Sequence, residues 1–180
     1  MRVRPDRAGV TSGVPSVGGP RTLIGGVGYR WQRDASIGVV AADVLSTLEW
    51  PPNVSVADLG YGAIYAAMDL AALSPPLDRL ILIAACDRGR APGSIHRYTY
   101  EASAPDPEET LARIREAGAG VIDLDHLLVI AQEMRALPPH VIVMEIEPLD
   151  REPGVDLSEG GRDLLASVVK MVQDEVGQPA

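Results

Sequence analysis

Four short apolar runs, at residues 23–27, 54–59, 80–85 and 141–146, recur along the chain, and segments of helical period lie between them. Runs this short suit strands, and runs without polar alternation suit strands covered on both faces, as in a parallel sheet. The intervening periodicity supplies the covering helices. Ile37, Val40, Ala41, Val44, Leu45 and Leu48 recur at helical spacing, with Asp34 or Ser36 placed to cap and Trp50, Pro51 and Pro52 placed to stop. Residues 63–73 and 124–137 read as further helices. A closing helix over 158–176 carries Leu164, Leu165, Val168, Val169, Val172 and Val176 as one stripe. Arg90-Ala91-Pro92-Gly93 has turn chemistry, and the alternating stretch 94–100 that follows it so closely predicts an antiparallel edge strand. Residues 107–117 are acidic and only weakly amphipathic. The order βαβαββαβα predicts an α/β fold: a three-layer α/β/α sandwich around a mostly parallel sheet of about five strands with one antiparallel edge strand.

Composition narrows the chemistry. The chain has 180 residues, 46% of them hydrophobic, enough for one core. Residues 1–20 contain four Gly, three Pro and three Arg without apolar periodicity, so a flexible tail is expected there, followed by a single domain over 21–180. The formal charge is −9, and because the tail holds Arg2, Arg4 and Arg7 against Asp6 alone, the rest carries −11. Such a surface repels phosphate backbones, which argues against nucleic-acid binding. No apolar run approaches the roughly 20 residues that would span a bilayer, and the first 20 residues lack the apolar core of a secretory signal, so a cytoplasmic location is expected. One cysteine, Cys86, and three histidines exclude disulfide frameworks and cysteine-rich zinc sites.

Gly26-Val27-Gly28 supplies the first two glycines of a dinucleotide fingerprint, but Trp31 stands at the third position, where close helix packing needs a small residue. Cys86 follows the most apolar run, beside Arg88 and Arg90, as a candidate nucleophile or a small buried hydrophobe. His96, His126 and His140 form no metal-ligand spacing. Asp34, Asp58 and Asp87 each follow a predicted strand, and ligands of open α/β sheets bind outside the carboxyl ends of strands, so convergence of these acids on one rim is an expectation.

Six blocks in order resemble the hydrogenase maturation endopeptidases, which trim the C-terminus of the nickel-iron hydrogenase large subunit. The first is Gly26-Val27-Gly28-Tyr29-Arg30-Trp31-Gln32-Arg33-Asp34-Ala35-Ser36-Ile37-Gly38-Val39, similar to G-x-G-N-x-x-x-x-D-[DE]-x-x-G-[VI]. Asp58-Leu59-Gly60-Tyr61-Gly62 resembles D-G-G-T-x-G. The run at 80–85, with Gly89 and Pro92-Gly93, resembles an apolar strand ending in D-A and a following G-x-x-P-G. Leu137-Pro138-Pro139-His140-Val141, Glu145-Ile146-Glu147-Pro148 and Gly154-Val155-Asp156-Leu157-Ser158 resemble L-P-x-x-V, G-I-x-P and G-x-x-L-S.

The resemblance implies an endopeptidase that recognises nickel in its precursor through a Glu, an Asp and a His. Here the Glu position is Ala35, the Asp position is Ala84 and the His position is Gly120, or Asp125 or His126 if a gap is admitted; Tyr29 replaces the family asparagine. The implied pocket is therefore Gly26, Gly28, Ala35, Asp58, Ala84 and Gly120, with no metal ligand among the replaced positions. Asp34, Asp87 and His126 lie within a few residues of the replaced positions and are the candidates for a displaced catalytic or nickel-recognising site. Two roles follow. One is processing of a nickel-iron hydrogenase large-subunit precursor. The other is a non-catalytic descendant that binds a hydrogenase subunit or maturation factor during assembly.

Overall fold

A computed structural model describes residues 19–103 and 106–177. The expected tail lies outside them except for residues 19 and 20, where the Pro20 carbonyl accepts hydrogen bonds from Thr22 Oγ1 and Asn53 Nδ2.

The strands are β1 (Thr22–Val27), β2 (Val54–Asp58), β3 (Arg79–Ala85), β4 (Ile95–Thr99) and β5 (His140–Ile146). The helices are α1 (Ile37–Ser46), preceded by a single 3-10 turn at Arg33–Ser36, then α2 (Ala63–Ala72), α3 (Pro107–Gly118), α4 (Leu124–Glu133) and α5 (Glu159–Val176). They form one five-stranded sheet in the order β2-β1-β3-β5-β4, parallel except for β4. This is the α/β architecture the apolar runs predict, antiparallel edge strand included, but β4 pairs with β5 and not with β3, the strand to which its short connection joins it. It departs from the predicted order in one respect, because residues 107–117 form a helix of their own.

Alternation along the strands feeds two cores. Leu23, Val27, Leu80, Leu82, Val141 and Val143 face α2 and α4, whereas Ile24, Ile81, Ile83, Ile142 and Met144 face α1 and α5. Both faces are thus buried, which is why the central runs lack polar alternation. Two glycines let α1 lie close on the sheet. A Cβ on Gly26 would fall 2.2 Å from the Gly38 carbonyl oxygen, and one on Gly38 would fall 2.4 Å from that of Val27. No side chain fits either contact.

Helix α5 is fixed at both ends by buried charges. Asp34, fully buried, accepts from the Ser158 amide (2.8 Å) and hydroxyl (2.7 Å), and Ser158 in turn caps the helix by accepting from the Gly161 amide. A carboxylate there complements the positive end of the helix dipole. At the other end the Arg79 guanidinium donates to the carbonyls of Glu175 and Val176 and to Thr22 Oγ1. Asp34 therefore holds the cap residue of a distant helix, Ser158, 124 positions along the chain, and does not cap the helix that follows it. Among the described residues no helix is long and apolar enough to cross a membrane.

Candidate functional site

The carboxyl ends of β1, β2, β3 and β5 share one rim of the sheet, and the loops leaving them carry most of the charged side chains discussed above. The end of β1 and the loop after it approach all three positions at which the resemblance implies metal ligands. Val27 pairs with Ala84 in register, a Cβ on Gly28 would lie 3.6 Å from the Ala35 carbonyl oxygen, and the Tyr29 hydroxyl donates to the Gly120 carbonyl at 2.8 Å. The same hydroxyl accepts from the Ile122 amide at 2.9 Å, so one phenol ties the β1 loop to the α3–α4 loop. The side chains at Ala35, Ala84 and Gly120 offer methyl groups and a hydrogen, which donate no lone pairs to a cation. The replaced positions do not fit a nickel ion.

The three displaced candidates do not come together. Asp34 is committed to the start of α5 on the other face of the sheet. Asp87 is exposed and paired with Arg151. His126 is buried in the first turn of α4, where Nδ1 meets Asp123 Oδ1 at 2.6 Å and Nε2 meets Glu116 Oε2 at 2.8 Å. Among the described residues, no three His, Cys, Asp or Glu side chains are arranged to hold a metal ion. Asp58 is also engaged. Its Oδ1 accepts from the Gly60 amide, and its Oδ2 meets Arg30, which also grips both oxygens of Asp43. These hydrogen bonds hold the Asp43 carboxyl below its usual range.

A second charged group sits at the β3 and β5 ends. Glu145 stands where the family pattern has glycine, and it pairs with Ala84 in register, so its carboxylate enters on the same face from the neighbouring strand. Its side chain is only 3% exposed. Oε1 accepts from Arg88 at 2.9 Å and from the Tyr98 hydroxyl at 3.1 Å, and Oε2 accepts from Arg90 at 2.6 Å. Arg88 also forks onto Asp125, with bonds of 2.9 and 2.7 Å. Burial pushes the Glu145 carboxyl up, but the bonds from Arg88 and Arg90 outweigh it and leave the group below its ordinary range. Asp125 is lowered chiefly by Arg88. Behind them the buried Glu147 accepts from the Arg88 amide and from Arg151.

Cys86, Arg88, Asp123 and Asp125 line a cleft of about 180 Å³ beside this group. Burial first, and the Glu145 charge second, push the Cys86 thiol up to about 12, so at neutral pH it is a protonated, weakly nucleophilic group. The sequence reading did not single out Glu145, Glu147, Tyr98 or Arg151. The available signal was a pair of acids at the end of an otherwise apolar run, since a carboxylate in a two-face-covered strand must find cations.

A doubly covered, mostly parallel sheet with its charged residues on the carboxyl rim defines an α/β/α sandwich protein of the kind whose sites lie at strand ends. The chain belongs to the hydrogenase maturation protease family, whose HycI model matches residues 39–175. No curated protein matches it. Solved structures share the fold. The hydrogenase 2 maturation peptidase of Thaumarchaeota archaeon SCGC_AB-539-E09 superposes with a TM-score of 0.62 at 23% identity, covering 87% of this chain and 98% of that one. The Escherichia coli hydrogenase maturating endopeptidase HybD gives 0.63 at 22% identity, covering 87% and 94%. The [NiFe] hydrogenase maturation protease HycI of Thermococcus kodakarensis KOD1 gives 0.60 at 14% identity, covering 91% and 96%.

Proposed function

We propose that this chain serves nickel-iron hydrogenase maturation by docking its sheet rim on the C-terminal region of a large-subunit precursor, and that it holds this region without cutting it. The observation that carries this reading is the Tyr29 bridge. Where the family pattern calls for a metal-recognising set, the chain presents Ala35, Ala84 and Gly120, and the Tyr29 phenol is bonded across to Gly120 and Ile122. That arrangement closes two loops on each other and supplies no group to polarise a peptide carbonyl or to hold an attacking water there.

The endopeptidase reading has one observation in its favour. His126 Nδ1 meets the Asp123 carboxylate, the contact that orients a general base in a catalytic triad, while Glu116 occupies Nε2, and the ring lies in the first turn of the helix that follows the replaced His position. One experiment separates the two. The purified chain is incubated with a nickel-loaded precursor, and the mixture is resolved by size exclusion and intact-mass spectrometry. A full-length large subunit that co-elutes with the chain is the expected result. A shortened subunit establishes the peptidase, and separate elution of two unchanged proteins overturns the docking.

A further inference from the structure

The cation that the replaced positions cannot hold has a counterpart on the next strand. The row Val27, Ala84, Glu145 runs across the sheet in register, and the carboxylate missing at Ala84 re-enters at Glu145. In front of it lies a guanidinium. Arg88 meets both oxygens of Asp125 and one of Glu145 within 2.9 Å, and with Cys86 it lines the 180 Å³ cleft at the start of α4. Arg90 takes the remaining oxygen of Glu145. An acid on the β5 end, an acid on the first turn of α4 and a thiol after β3 thus gather around the Arg88 charge, which the chain itself supplies.

We propose that the Arg88 guanidinium is the resident cation of this rim, a tethered charge that takes the place of a divalent ion, and that recognition at the rim is consequently indifferent to whether the partner carries metal. The metal-indifference rests on the docking reading above; the cation role does not. The guanidinium spaces Asp125 and Glu145 to its own width, which accounts for carboxylates and a thiol meeting here without forming a metal-ligand cluster. Removing the Arg88 charge frees the Asp125 carboxylate beside the Cys86 thiol in the cleft, next to a Glu145 that Arg90 and Tyr98 still hold, so carboxylate oxygens and a soft sulfur become available as donors.

The test is a cadmium titration of the purified chain, followed by calorimetry and by the absorption of the cadmium–thiolate bond, whose formation releases the thiol proton to solvent. Wild type and Arg88→Lys, which keeps the charge, are expected to show neither heat nor the thiolate band. Arg88→Ala is expected to take up one equivalent of cadmium, with heat and a thiolate band that the added change Cys86→Ser abolishes. Stoichiometric cadmium uptake with the thiolate band in wild type overturns the proposal, and that measurement stands whether or not the variants fold. A folded Arg88→Ala as inert as wild type also overturns it. No hydrogenase component enters the assay, so its failure is distinct from failure of the docking. Where docking is found, equal affinity for nickel-loaded and nickel-free precursor is expected, and a preference for either overturns the indifference.

Discussion

The two halves of the rim use the same device in different surroundings. On the β1–β2 side Arg30 links Asp43 to Asp58, and on the β3–β5 side Arg88 links Asp125 to Glu145. Distances are alike, at 2.6–2.9 Å. The difference is water. Asp43 and Asp58 side chains are 52% and 35% exposed, while Glu145 is 3% exposed. An exposed arginine between two carboxylates adds little, because each charge is nearly as well solvated alone. A buried carboxylate between two arginines is different, because its partners replace water it no longer has. Identical contact lists therefore describe a surface brace on one side and a structural requirement on the other.

The largest effect is expected where Glu145 loses both cations. Arg88→Ala combined with Arg90→Ala leaves a buried carboxylate with only the Tyr98 hydroxyl, and urea unfolding should show a loss of about 3–5 kcal/mol. A loss below about 1 kcal/mol would place both halves of the rim in the same class and break the comparison.

Acid should reveal the same asymmetry. Glu145 and Asp125 lie below their ordinary values of 4.5 and 3.8, so their folded forms bind protons less readily than the unfolded chain does. Groups lowered in this way contribute stability that is complete above the ordinary value and is lost as pH falls through the folded one. Stability measured from pH 6 downward should therefore decline below about pH 4.5, and the decline should be shallower in Arg88→Ala. An unchanged slope in that variant would mean that Arg88 does not set these carboxyl values.

How far these features could be read from sequence follows from the range of the interactions involved. The apolar runs announced the strands because burial on both faces is a local demand on composition. Each central strand nevertheless starts one residue before its run, at Thr22, Arg79 and His140, which pair in one row across the sheet. Thr22 Oγ1 accepts from Arg79 Nε there, so a cross-strand partner makes a polar first residue acceptable. Helix α3 escaped the predicted element order because it buries only Thr110 and has little apolar face to display. Helix α4 ends at Glu133, short of 137, where Arg135 turns to a left-handed backbone with φ 54° ahead of Pro138. In the site, the absence of side-chain lone pairs at Ala35, Ala84 and Gly120 was legible in the letters alone. The partner of Asp34, at Ser158, and the approach of Glu145 to Arg88 were not, because both depend on which strands become neighbours.

Between the two halves stands Tyr29, whose hydroxyl joins the β1 loop to the α3–α4 loop. Tyr29→Phe removes one donor and one acceptor while keeping the ring, and because the site is partly exposed, water can replace the lost partners. A loss of about 1 kcal/mol is expected, together with faster amide exchange at Ile122. Unchanged exchange there would show that the loops are held by other contacts.

The smallest effect belongs to the exposed half. Arg30→Ala removes three charge-assisted hydrogen bonds, one more than the two that Tyr29 makes, so a count of interactions would rank it above Tyr29→Phe. Solvation ranks it below. Asp43 and Asp58 are open enough to regain water, and Asp58 keeps its bond from the Gly60 amide, so the β2 turn stays fixed. The expected change in unfolding free energy is about 0.5 kcal/mol and should shrink further in 0.5 M salt, where exposed pairs are screened. A loss of several kcal/mol that resists salt would show that the Arg30 brace is shielded from water in solution, and the contrast between the two sides of the rim would then have to be drawn from something other than exposure.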